Sequence, residues 1–309
     1  MQSTSQCAGA LLMVRPRAFA FNAQTAHSNR FQQRGSEPDV AARALAEFDG
    51  LAAALRAEGV PVRVAEDSVE PAKPDAVFPN NWVSFHADGT VVLYPMQAEN
   101  RRLERRADVF EAVAELGFRP TRTVDLTSHE RAGRFLEGTG SLVLDHRARV
   151  AYACRSPRTD EAVAREWGAA LGYELELFDA ADAAGAPIYH TNVLLSIGTR
   201  FAVLATPTLA AGDRARIVER LRHGRELIEI DETEMRGFAG NVLEVGSWDE
   251  HLGDLHVLAM SRTARRALAP EKYARLSAAV DTVLAAPVDV IERHGGGSVR
   301  CMLAEVFLR

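Results

Sequence analysis

Cys301 is one of only three cysteines in this 309-residue chain. A cysteine in an apolar run is more often inert packing than chemistry, because a thiol behaves as a small hydrophobe unless its surroundings activate it. What changes the reading of Cys301 is its company. Five short segments each lead from polar or small residues into an apolar run, and alignment on Asn81, Gly140, Asn192, Asn241 and Cys301 places them at intervals of 59, 52, 49 and 60 residues. His190 falls beside the aligned position of the third segment and Glu137 near that of the second. A thiol, an imidazole and a carboxylate gathered from such parallel places would supply a nucleophile, a proton carrier and a group that fixes the carrier's tautomer. Cys7 and Cys154 have no such company and read as inert.

Convergence of this kind requires a fold that brings the five segments to one end of a common axis. A second apolar strand follows each of the first four, at Val91–Pro95, Val150–Cys154, Phe201–Ala205 and Leu255–Met260. Helical periodicity comes next, over Asn100–Leu116, Asp160–Leu171, Asp213–Leu221 and Glu271–Leu284, then third strands at Arg119–Leu126, Glu174–Phe178, Leu227–Ile230 and Val288–Ile291. Ahead of them, Asp39–Leu55 reads as a helix with a Ser36 cap and a Gly59 stop, leading to a strand at Val60–Val64. The strand at Leu11–Val14 and the strand around Cys301 are incomplete units that would complete one another. The expected architecture is therefore α/β, a five-bladed α/β propeller of strand-strand-helix-strand units, with residues 1–309 forming one catalytic domain. A doubly wound α/β sheet with coincidental repeats is the competing fold.

Composition narrows the function classes. Hydrophobic residues at 47% and charged residues at 25% are ordinary for a globular chain. The net charge of −6 and the absence of any basic run give no reason to expect a nucleic-acid partner or an anionic membrane. Cys7–Val14, the longest early apolar stretch, is too short to cross a bilayer. Three cysteines do not make a secreted disulfide framework, so a cytoplasmic location is expected. Neither Cys-x-x-Cys nor His-Glu-x-x-His occurs, and His251 and His256, five apart, read as a solvated pair; no metal or cofactor is expected. The sequence permits a homo-oligomer. The polar stretch Phe19–Gly35 is a candidate lid, since loops of that length are often functional.

Taken together, these segments resemble the pentein superfamily of guanidine-modifying enzymes, which includes arginine deiminase, dimethylarginine dimethylaminohydrolase and the amidinotransferases. The closest likeness is to the citrulline-utilisation hydrolases, or citrulline ureidases, and it runs from Met13-Val14-Arg15-Pro16 to the glycine-rich Gly295-Gly296-Gly297-Ser298-Val299-Arg300-Cys301. The resemblance implies that Cys301 is the nucleophile, His190 the general acid and base, and Glu137 the residue that orients the histidine. It further implies that Arg158 holds the substrate carboxylate, that Asp75 lies near the substrate amino group, and that Arg101 or Arg102 is a second binding arginine. Relatives acting on a cationic guanidinium carry acids where this chain has Asn80 and Asn81, and deiminases also carry an aspartate in place of Asn192.

That departure bears on the substrate, a small amino acid. A buried carboxylate facing a neutral ureido oxygen sets acceptor against acceptor, at a cost on the order of 3–5 kcal/mol. An amide avoids this by donating to the ureido oxygen and accepting from the ureido NH₂. Asn80, Asn81 and Asn192 therefore point to citrulline, cleaved to ornithine, carbon dioxide and ammonia through a thiocarbamate on Cys301. Arginine deiminase or dimethylarginine hydrolase activity, an amidinotransferase, and a non-catalytic binding module are the alternatives. Taken singly, an Asn-Asn pair also reads as turn chemistry, and Asn241 as a structural echo of Asn192.

Overall fold

A computed structural model describes residues 5–35 and 37–308; Ser36, expected to cap the first helix, lies outside them. Among the described residues, strand pairing gives four sheets. Three of them have three strands and one pattern: an antiparallel pair from neighbouring runs, then a parallel strand reached through a helix. They are Leu142–Asp145, Val150–Cys154 and Glu174–Phe178; Leu195–Ile197, Phe201–Leu204 and Glu226–Glu229; and Leu243–Asp249, Gly253–Ser261 and Thr282–Ala286.

The fourth sheet has six strands, in the order Val62–Glu66, Ala10–Arg15, Ala304–Val306, Val83–Phe85, Thr90–Leu93 and Arg122–Asp125. The two chain ends do pair, antiparallel, with Ala10 opposite Val306 and Leu12 opposite Ala304. The terminal unit and the first internal unit share one sheet rather than forming two. Val306 also pairs in parallel with Phe85, which joins the terminal unit to the first internal one.

Local chemistry explains the regular connections. In the helix Glu161–Leu171, Asp160 accepts from the Val163 backbone N–H at 3.1 Å and Gly172 ends the helix in the left-handed conformation. Val163, Ala164, Trp167 and Leu171 recur at helical spacing and are buried against Leu142, Ala151 and Leu177. Each large apolar side chain so buried contributes roughly 1.5–3 kcal/mol.

Two expectations need correction. The single helix Asn100–Leu116 is broken into Glu99–Arg102 and Ala107–Ala114. Its arginines are drawn to different partners: Arg101 to Glu104, Arg105 to Glu130 and Arg106 to Asp67, which an unbroken helix could not serve together. Nearer the C-terminus, the helix ends at Ala278, Thr282–Ala286 is the strand, and Val288–Ile291 enters a helix over Asp289–Gly295. Glu47, from the first helix (Val40–Ala57), accepts from the N–H groups of Val290 and Ile291 at 3.0 Å and caps that helix from a distance. Among the described residues no helix is long and apolar enough to cross a membrane.

Candidate active site

Four of the five polar lead-in segments are single helical turns rather than strand starts: Pro79–Asn81, Gly138–Ser141, Thr191–Leu194 and Val299–Met302. Cys301, expected in a strand, sits in the last of these. The segments touch in succession. Thr139 Oγ1 donates to Asn80 O at 3.4 Å and Thr191 Oγ1 to Ser141 O at 2.6 Å. Asn241 Nδ2 donates to Asn192 O at 2.9 Å and lies 3.2 Å from Cys301 Sγ, while the turn holding Cys301 packs on Pro79–Asn81.

Cys301, His190, Arg158, Arg101, Asp75 and Asn81 line one nearly filled cavity of about 10 Å³, closed off by Phe78, Tyr189, Asn29 and Gly295–Gly297. This is far below the size of small-molecule sites, so an amino acid can enter only if lining side chains move. Glu137 stands behind His190, its Oε2 2.9 Å from Nε2, which leaves Nδ1 without a hydrogen bond among the described residues. The same carboxylate accepts from Arg158 Nη1 at 3.3 Å and from Gln97 N at 3.1 Å.

Electrostatics follow from burial. Desolvation pushes the Cys301 thiol up, and the amides of Asn241 and Asn192, a Ser298 backbone contact and the Arg300 charge oppose it only in part. His190 is pushed down to about 4 by desolvation, against the pull of Glu137. Desolvation alone would raise Glu137, but Arg158 and His190 outweigh it and hold the carboxyl well below its ordinary range. At neutral pH the empty site therefore contains a thiol, a neutral imidazole and a carboxylate.

The other expected positions are distributed as follows. Arg101 reaches the cavity wall but is held by Glu104 at 2.9 Å through both Nε and Nη2, and it donates to Asn81 Oδ1 at 2.8 Å. That fixes the Asn81 amide, whose buried NH₂ has no partner. Asn80 is fully buried, is not on the cavity wall, and neither side-chain polar atom is bonded. Asn192 turns to the sulfur, with Nδ2 at 3.7 Å from Sγ. Asn241, read from sequence as an echo, makes the closer contact with sulfur; its aligned place in the fourth segment was the available signal.

Asp75 and Arg158 are both engaged by the stretch Phe19–Gly35, the lid candidate. Asp75 Oδ2 accepts from Asn22 and Thr25 while Oδ1 has no partner, and Arg158 donates to Ser28 Oγ and Thr25 O.

Gly140 makes the approach of these groups feasible. A Cβ there would lie 2.5 Å from Asn81 Nδ2 and 2.8 Å from His190 Nδ1 and Cε1. Gly140→Ala should lower kcat/KM by about 100-fold in a folded protein, since ångström-scale misplacement costs that much. Steady-state kinetics with circular dichroism as a folding control would measure this, and unaltered kinetics would show that the contact tolerates displacement.

Comparison with known proteins adds the following. The family model described as N,N dimethylarginine dimethylhydrolase, eukaryotic, matches residues 15–308. No curated protein sequence matches the chain. Among solved structures, the N-terminal domain of ArgZ, an arginine dihydrolase of cyanobacteria, bound to substrate, is 18% identical with a TM-score of 0.74, covering 97% of this chain and 98% of that one. Unliganded AgrE is 18% identical with a TM-score of 0.75 over 97% of this chain, which spans only 39% of AgrE. A dimethylarginine dimethylaminohydrolase adduct is 17% identical with a TM-score of 0.63, covering 96% and 99%.

Proposed function

We propose, for a chain that belongs to the N,N dimethylarginine dimethylhydrolase family and with it to the pentein superfamily of guanidine-modifying enzymes, that residues 1–309 form one catalytic domain hydrolysing the ureido group of citrulline. The observation that carries this reading is the set of amides around Cys301. Asn192 and Asn241 flank the sulfur and Asn81 offers an unpartnered NH₂, while the nearby carboxylates are engaged elsewhere, Glu137 with His190 and Arg158 and Asp75 with Asn22 and Thr25. Amide donors suit the ureido oxygen and the negative charge that develops on it.

In this mechanism Cys301 Sγ gives its proton to His190 and attacks the ureido carbon. His190 returns a proton to the departing nitrogen, releasing ammonia and leaving a thiocarbamate. Water then loses a proton to His190 and attacks the same carbon, which expels the thiolate and frees a carbamate that breaks down to ornithine and carbon dioxide. Substrate carboxylate replaces Ser28 and Thr25 on Arg158, and the substrate amine takes the unpartnered Oδ1 of Asp75. The succession of contacts between lead-in segments, which returns from the Cys301 turn to Pro79–Asn81, supports a five-bladed α/β propeller as the arrangement that closes the site.

A second reading is favoured by the likeness to ArgZ: arginine as substrate, carried through two hydrolytic rounds to ornithine. Product stoichiometry separates the two. Purified protein is incubated with citrulline, arginine and dimethylarginine, and ornithine, citrulline and ammonia are measured. The citrulline reading expects ornithine and ammonia in equal amounts from citrulline and little turnover of the cations. Arginine turnover giving two ammonia per ornithine would favour the second reading. Citrulline made from arginine or dimethylarginine, with no ornithine from citrulline, would overturn the first.

A further inference from the structure

Away from the Cys301 cavity, three side chains that sequence reasoning left without a role come together. Glu244 lies on the strand Leu243–Asp249 and His256 on its antiparallel neighbour Gly253–Ser261. Register sets Gly246 opposite His256, so Glu244, two residues away on the same face, is the diagonal neighbour of the imidazole. Because Gly246 has no side chain, the N-terminal backbone can cross the strand there, and Gly246 N donates to Ala8 O at 2.9 Å. That crossing carries Cys7 Sγ to 3.7 Å from His256 Nδ1 and 3.3 Å from Thr199 Oγ1. His256 is thus no solvated partner of His251; its Nδ1 lies 2.9 Å from Glu244 Oε1.

This is not a second catalytic relay. A relay uses the two ring nitrogens for two partners, whereas here sulfur and carboxylate approach the same nitrogen. The three candidate ligand atoms all lie within 4.8 Å of one another. Glu244 supplies the independent observation. Its side chain is 1% exposed, Oε2 accepts from Thr199 N, and Oε1 lies beside His256 Nδ1 in a geometry too poor for a full hydrogen bond. Among the described residues no arginine or lysine pairs with it. A buried carboxylate that faces a thiol and an imidazole, with no fixed positive charge beside it, gains from a bound cation.

We propose that Cys7, Glu244 and His256 form a zinc-binding site, with its fourth position open to water from the adjoining cavity. A thiolate, an imidazole and a carboxylate are a ligand set that zinc favours, and the two anions balance its charge. Tetrahedral bonds to zinc of ordinary length separate S from N by about 3.6 Å and N from O by about 3.3 Å. The observed 3.7 and 2.9 Å need shifts of a few tenths of an ångström. Coordination breaks the Cys7 S–H bond, sends the proton to solvent and forms S–Zn, with no change of oxidation state. The adjoining cavity, lined by Cys7, His256, Trp248, Leu255 and Phe307 among others, shares no residue with the one at Cys301.

The test uses the full chain in a Cys301→Ser background, so that the thiol of the other cavity cannot bind metal, stripped with chelator and titrated with Co²⁺ and then Zn²⁺. One equivalent of Co²⁺ should produce thiolate-to-cobalt absorption in the near ultraviolet, and Zn²⁺ should displace it and raise Tm. Cys7→Ser and His256→Ala should each weaken binding by at least about 100-fold. The His256 side chain is 38% exposed, so its replacement keeps the test informative if Cys7→Ser fails to fold. Absence of the absorption band, or a band that survives His256→Ala, would overturn the proposal.

Discussion

Cys301→Ala should reduce kcat for citrulline by at least about 10⁴-fold while leaving the protein folded, because loss of a nucleophile removes the covalent route altogether. The sulfur cannot easily be replaced by another group. It is 3% exposed, and the side chains recorded in contact with it are the amides of Asn241 and Asn192, neither of them nucleophilic. Serine in its place would be a poorer nucleophile, since a hydroxyl is a far weaker acid than a thiol. Desolvation keeps the thiol protonated at neutral pH in the absence of substrate. Alkylation by iodoacetamide should therefore accelerate as pH rises above neutrality, and citrulline should protect. Wild-type turnover by Cys301→Ala in a preparation free of contaminating hydrolase would remove the mechanism.

How much of this could be read in the sequence depended on whether the cause was local. Val150–Cys154, Glu174–Phe178 and the helix after Asp160 were legible to the residue or nearly so, because capping, periodicity and alternation all act within a few positions. The helix at Asp289–Gly295 was not, since its cap comes from Glu47 on another helix. Nor was the break after Arg102, which follows from charges on distant elements. At the site, aligned segments indicated which residues could meet, but not how each would be occupied. Asn81 reaches the cavity and adjacent Asn80 does not, because a one-residue step in a tight helical turn points the next side chain elsewhere. Asn241 was undervalued for the same reason: its contact with sulfur is made across two units. Glu244 and His256 carry no spacing signal at all, since their meeting with Cys7 depends on a backbone crossing at Gly246.

Glu137→Gln should lower kcat by about 10⁴-fold, as an amide at the same place cannot do what the carboxylate does. Glu137 Oε2 accepts from His190 Nε2 and Arg158 Nη1, and Oε1 accepts from Gln97 N. Glutamine keeps the shape but exchanges one acceptor for an NH₂, which must face a donor or impose the other imidazole tautomer. His190 already titrates at about 4 despite the support of Glu137, so removing that support moves it lower. The protonated imidazole that releases ammonia is then scarcer at every pH, and turnover suffers more than substrate binding. Stability should fall too, by about 3–5 kcal/mol, because the buried Arg158 guanidinium loses its counter-charge. The two effects are separable. A purely structural glutamate would lower Tm and leave kcat near wild type at a temperature where the variant is folded, and that result would exclude Glu137 from positioning His190.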